Sequence, residues 1–195
     1  MKEIKNVCVY CASSTRIASC YVEAADQLGQ ILGNHHLRVI TGGGIHGLMK
    51  TVEEAAMRTG AEVYGIIPHF MVEQHWEHPN ITKLIEVNNM SDRKNLMNKM
   101  ADAIVVLPGG CGTLDELTEA ITLKQLGHFD GPIVILNINR YYDALIAQLQ
   151  TALNQHFMGE IHSQLWSVAN NTDEVINHIY NAPEWNKDLS KFAVI

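Results

Sequence analysis

The sequence predicts a single doubly wound α/β domain, a parallel sheet flanked by helices on both faces. Three observations carry this expectation. Short apolar, β-branched runs alternate with helical patterns along the chain, as strands buried on both faces read. Two glycine clusters each follow such a run and open a helix. The 195 residues suffice for one good core, and a domain of this size buries roughly 70% of its unfolded surface without a metal or disulfide staple.

The elements follow in order. Residues 4–9 form a first strand, then a Ser-rich turn leads to a helix over about 17–33. Residues 37–41 are a second strand, followed by a glycine cluster, a helix over about 47–59 and a strand at 62–68. A polar, His-rich segment at 69–80 is read as a lid, because long polar connections inside compact domains are usually functional or disordered. Next come a strand at 81–87, a helix over about 91–100, the strand 103–108, a second glycine cluster and a helix over about 113–126. A buried-type strand at 132–138 and helices over 141–155 and 172–180 complete the pattern. Residues 1–180 are expected to be the domain and 181–195 a loosely tethered C-terminal tail.

Lys and Arg number 14 against 21 Asp and Glu, a net charge of −7. An acidic chain without a basic run does not suit a polyanion such as nucleic acid. One helix terminus or local cation still suffices for a single phosphate. No stretch approaches the eighteen apolar residues of a membrane span, and the N-terminus lacks a signal-peptide pattern. Four scattered cysteines do not make a secreted disulfide framework. The expectation is a cytoplasmic protein.

The first glycine cluster, Thr41 to Gly47, contains G-x-G-x-x-G between strand and helix. Gly43 and Gly44 are read as part of a backbone cradle for phosphate; the bland alternative is a tight turn that packs helix against sheet. Dinucleotide binding also needs an acid at the end of the next strand, and that strand ends Gly65-Ile66-Ile67-Pro68. The second cluster runs Pro108-Gly109-Gly110-Cys111-Gly112-Thr113-Leu114-Asp115-Glu116. Its glycines let the backbone approach a ligand, and the first-turn amides point at an anion. One acid there is explained by the helix dipole; a pair beside such a loop, at the carboxyl edge of a parallel sheet, marks a site.

Met90-Ser91-Asp92-Arg93-Lys94 opens a helix, with Ser91 expected as its cap. Arg93 and Lys94 are either hydrated or supply positive charge beside the glycine loops. Cys8 and Cys11 are read as buried small hydrophobes rather than a redox or zinc half-site. His69, His75 and His78 with Glu73 and Glu77 fit no standard zinc spacing, so no metal is assigned. Met90, Met97 and Met100 are expected to pack in the core.

These motifs, V-Y-C-A-S-S at 9–14, T-G-G-G-I-H-G-L-M at 41–49, G-I-I-P at 65–68, M-S-D-R-K and P-G-G-C-G-T-L-D-E, resemble the LOG ("Lonely guy") family. Order and spacing match from about residue 5 to 155, including L-K-Q-L-G at 123–127. The resemblance implies a Rossmann-like homodimer that cleaves the N-glycosidic bond of a nucleoside 5′-monophosphate, of the cytokinin type or AMP, without metal or organic cofactor. It places the catalytic pair on Arg93 and Glu116. It places substrate contacts on Lys94, on Gly109 to Asp115 (Cys111, Gly112, Thr113 and Leu114 among them), and on Thr122. Ser91, where the family carries His, and His75 in the lid depart from the pattern and bear on the base pocket. An old lysine decarboxylase label attached to relatives has no pyridoxal-lysine context here.

Cleavage of an N-riboside passes through an oxocarbenium-like sugar. Glu116 is expected to face that charge and to orient or deprotonate water, with Arg93 holding it ionised. The rival reading is a carrier of the same superfamily that binds a nucleotide-like molecule without cleaving it.

Overall fold

The computed structural model describes residues 3–186. Among them, seven strands form one parallel sheet: β1 (Asn6–Tyr10), β2 (Arg38–Thr41), β3 (Val63–Pro68), β4 (Lys83–Val87), β5 (Ala103–Val106), β6 (Ile133–Leu136) and β7 (Ser167–Ala169). Their order is β4-β3-β2-β1-β5-β6-β7. The connecting helices are α1 (Ser19–Asn34), α2 (Gly47–Arg58), the short α3 (His69–Val72), α4 (Met90–Met100), α5 (Cys111–Gln125), α6 (Asp143–Asn154) and α7 (Val175–Tyr180). The doubly wound expectation holds. Each expected strand and helix is present with its ends shifted by a few residues. The three-residue β7 was not anticipated, being too short to show a period.

Alternation along β1 explains why the strand is apolar throughout. Successive side chains of a strand point to opposite faces. Val7 and Val9 enter one core with Leu28 and Leu32 of α1 and Leu48 and Val52 of α2. Cys8 and Tyr10 enter the other, with Met97 of α4 and Leu117 and Ile121 of α5. Tyr10 donates its hydroxyl proton to Asn98 Oδ1 at 2.7 Å, which ties α4 to the central strand. The two thiols expected to be buried, Cys8 and Cys11, are 0% and 6% exposed.

From β1 the chain winds outward through β2, β3 and β4, then returns to β5 on the other side of β1 and winds outward again. Strand order therefore reverses between β1 and β5. At such a reversal, neighbouring loops diverge to opposite faces and leave a crevice at the carboxyl ends of the strands. The stretch from 181 onward, expected to hang loosely, behaves differently in its described part. Trp185 is 6% exposed and packs in the second core, because burying an indole outweighs the cost of ordering a few residues. Residues 187–195 lie outside the described residues.

Candidate active site

The segments that follow β1, β2, β3, β4 and β5 meet in the crevice. They enclose a cavity of about 530 Å³ whose wall includes Arg93 and Glu116. α4 carries the arginine. Its cap is Asn89, whose side chain accepts the Asp92 N–H at 2.9 Å; the expected cap, Ser91, lies two residues further on, inside the first turn and exposed, so that expectation is corrected. Starting the helix at Met90 brings Arg93 under the sheet edge. There its Nε donates to the Ile66 carbonyl at 3.1 Å and its Nη1 to Glu116 Oε1 at 2.8 Å. Gly42 lies against the remaining guanidinium nitrogen, and any Cβ at that position would collide with it.

Both partners are nearly enclosed, at 7% and 6% exposure. Burial pushes the Glu116 carboxyl above its ordinary range, and the Arg93 cation pulls it back only in part. Arg93 depresses this acid as expected, but desolvation is the larger effect and the net shift is upward. The same surroundings push the Cys11 thiol well up, and it stays protonated.

The second glycine loop meets the cavity at the start of α5. That helix begins at Cys111, with Gly110 as a cap that offers no side-chain acceptor. Helix geometry leaves the amides of Cys111, Gly112 and Thr113 without an intrahelical partner, and Gly110, Gly112 and Thr113 stand in the cavity wall. Two tyrosines brace the loop from behind. Tyr142 donates its hydroxyl to the Leu107 carbonyl and Tyr141 to that of Gly109, each at 2.8 Å.

The first glycine loop serves packing as much as ligand access. Gly43 adopts φ +68° and sits against the Gly65 backbone, where a side chain would be excluded. Gly47, at φ +61°, lies so close to the Ser13 backbone that a Cβ would come within 2.5 Å of it. The segment 69–80 is sewn to this loop: Gly44 bridges Glu77, Ile45 N–H donates to the Trp76 carbonyl at 2.9 Å, and His78 N–H donates to the Gly43 carbonyl at 2.8 Å.

Of the expected contacts, Gly44, Gly110, Gly112 and Thr113 line the cavity with Arg93 and Glu116. Gly43 and Gly109 are buried behind the wall. Cys111 is exposed at the helix start, and Leu114 packs partly against the second core. Lys94 reaches Asp115 at 2.8 Å and Glu119 at 2.5 Å. Thr122 is exposed, its hydroxyl spent on the Thr118 carbonyl. His75 occupies a left-handed turn, and the lid residues facing the cavity are Met71 and Trp76. Met97 is in the core as expected, whereas Met90 stands in the cavity wall, a correction to its core assignment. Ser13, Ser14 and His46 also line the cavity; their signal was position, in the turns that follow β1 and β2.

Comparison with known proteins gives the family and the fold. A family model described as "Possible lysine decarboxylase" matches residues 49–179. LOG5 of Arabidopsis thaliana, a cytokinin riboside 5′-monophosphate phosphoribohydrolase, is 35% identical over 175 residues, 90% of this chain and 77% of its own. LOG7 of the same plant, with the same name, is 35% identical over 190 residues, 97% and 88% of the two chains. The chain belongs to the LOG family. Among solved structures, the molybdenum cofactor binding protein of Rippkaea orientalis superposes with a TM-score of 0.68 at 19% identity, covering 91% of this chain and 96% of that one. The molybdenum cofactor carrier protein of Chlamydomonas reinhardtii gives 0.67 at 18% identity, covering 91% and 98%. These two likenesses establish the fold. As for the decarboxylase description, among the described residues no lysine lines the cavity.

Proposed function

We propose that this LOG-family protein is an N-glycosidase that hydrolyses a purine riboside 5′-monophosphate, of the cytokinin type or AMP, to the free base and ribose 5-phosphate. The observation that carries the reading is the enclosed Arg93–Glu116 pair, 2.8 Å apart, facing a cavity between two glycine loops. The curated relatives named for this reaction support it.

In this reading the phosphate rests on the free amides at the start of α5, where the helix dipole favours an anion. The ribose then lies toward Glu116. Water attacks C1′ as the C1′–N9 bond breaks, and the purine leaves with the bonding electrons and takes up a proton. Glu116 faces the developing positive charge and accepts the proton of the attacking water, a task its raised basicity suits. Arg93 fixes the carboxylate's position. The base points toward Ile67, Met71, Trp76 and Met90, an apolar wall suited to a purine with an apolar substituent. A carrier has no need of an acid beside the sugar, which disfavours the carrier reading.

The protein acts as a homodimer in the cytoplasm in this proposal. Leu126 and Phe157, exposed at 46% and 83%, offer apolar surface to a twin. Its four cysteines are free thiols, in keeping with a reducing compartment, and among the described residues no helix is long and apolar enough to cross a membrane.

The test is incubation of the pure protein with AMP, isopentenyladenosine monophosphate, adenosine and ATP, followed by assay for free base. Monophosphates should yield base and adenosine should not. Adenosine cleaved as efficiently as AMP would show that the loops do not grip phosphate. Saturable binding of AMP without any base released would favour the carrier.

A further inference from the structure

Glu53 is a buried carboxyl that the proposed reaction does not use. It lies on α2, outside the cavity wall, with none of its surface exposed. Oε1 accepts the Thr41 hydroxyl, and Oε2 has no hydrogen-bond partner among the described residues. Burying a carboxyl so incompletely satisfied is costly, and a Leu or Met would pack such a helix face at no such cost.

Its one partner leads to the site. Thr41 ends β2, and its hydroxyl oxygen also accepts the Gly43 N–H at 3.1 Å. The Gly43 carbonyl accepts from His78 N–H, and the adjoining Ile45 N–H holds the Trp76 carbonyl. A continuous chain of hydrogen bonds thus runs from Glu53 through Thr41 and the glycine loop to the segment that places Met71 and Trp76 on the cavity. Gly42, in the same loop, is the residue against which Arg93 rests.

We propose that Glu53 is a positioning residue: acting through Thr41, it sets the first glycine loop and so seats the 69–80 segment over the site. Its effect on turnover rests on the hydrolase reading above; its effect on loop order does not. The groups around it supply no compensating cation. Cys11 approaches from the end of β1, and Glu54 on the same helix is engaged with Lys50 at 3.9 Å and His78 at 3.7 Å. α1 packs its Gly29 against Val52 and Ala55 of α2, and its Asp26 is paired with Arg58 at the far end of α2. The Arg93–Glu116 pair lies beyond Cys11 and is closed on itself. Burial accordingly holds the proton on Glu53 up to about pH 8. Above that, an unpaired anion sits beneath the loop and loosens it.

Amide hydrogen exchange of the full chain reads this directly, after correction for the intrinsic pH dependence of exchange. In Thr41→Val the amides of Gly43, Ile45 and His78 should exchange about tenfold faster, the loss of one buried hydrogen bond, while those of β6 stay unchanged. With nucleotide, the same variant should raise KM by about tenfold with kcat altered less than about threefold. Wild type should lose protection at these amides between pH 7 and 9, and Glu53→Gln, which keeps the acceptor oxygen and cannot ionise, should retain it. Unchanged exchange in Thr41→Val, or a Glu53→Gln variant that loosens with pH as wild type does, would overturn the proposal. A wild-type protein that releases no base sinks the hydrolase reading alone, because the exchange experiment still decides the role of Glu53.

Discussion

In the proposed mechanism Arg93 and Glu116 act together, since neither is tolerable alone at 6–7% exposure. Removing one partner of a buried pair leaves an uncompensated charge. Glu116→Gln keeps the shape and should lower kcat by about 10²–10³-fold, as expected for a group aimed at transition-state charge. Arg93→Ala should cost a similar factor, and the double variant far less than the product; steady-state kinetics on AMP decide it. Near-normal turnover in Glu116→Gln would reduce the carboxylate to a helix-start residue. The acid limb of the pH–kcat profile should also lie above the ordinary carboxylate range, since burial raises this group. Glu53 makes a separate prediction for stability. Its native pKa of about 8 exceeds the ordinary 4.5, so between those values the native state holds a proton that the unfolded chain has lost. Stability contributed by that proton is full below about pH 4.5 and is lost as pH rises toward 8, with a slope of at most about 1.4 kcal/mol per pH unit. Glu53→Gln should therefore melt increasingly above wild type from pH 5 to 8, and parallel melting curves would refute the assignment.

At the scale of elements, two loops owe their shape to contacts from outside themselves. Tyr142 fixes the strand end before the second glycine loop through the Leu107 carbonyl. Tyr142→Phe should cost about 1–3 kcal/mol in urea unfolding, because it leaves a buried acceptor without its donor. Gly47 opens α2 in a left-handed conformation with the β1 loop packed against it. Gly47→Ala should be harsher than an ordinary Gly-to-Ala exchange, displacing Ser13 and Ser14 from the cavity wall and depressing kcat/KM along with the melting temperature. A soluble Gly47→Ala variant with native kinetics would mean that the β1 loop is not part of the site. Such contacts explain why the G-x-G-x-x-G pattern was ambiguous. The same glycines meet a packing demand and leave a backbone open to ligand, and spacing alone does not separate the two.

For the whole molecule, the strand order reversal between β1 and β5 brings together loops that are distant in sequence, from Cys11 to Glu116. Of the resemblance-implied contacts, Asp115 and Thr122 are exposed on α5, and the half-buried Lys94 of α4 is paired with Asp115. Homodimer assembly is expected, and sedimentation at micromolar concentration should give a species of about twice 21.8 kDa or a multiple of it. A monomer with full activity would rule the dimer out.

Local pattern determined the alternating elements, the parallel sheet and the two glycine turns, because hydrophobic period and glycine placement act over a few residues. The motif order likewise brought Arg93 and Glu116 forward as a pair. Tertiary structure alone decided that Asn89 rather than Ser91 caps α4, that Met90 and Trp76 face the cavity, that Trp185 docks, and that burial outweighs Arg93 at Glu116. It also decided that Glu53 is buried beside Thr41. A side chain's direction, its desolvation and its partners depend on elements far away in sequence, and those are set only when the sheet is wound.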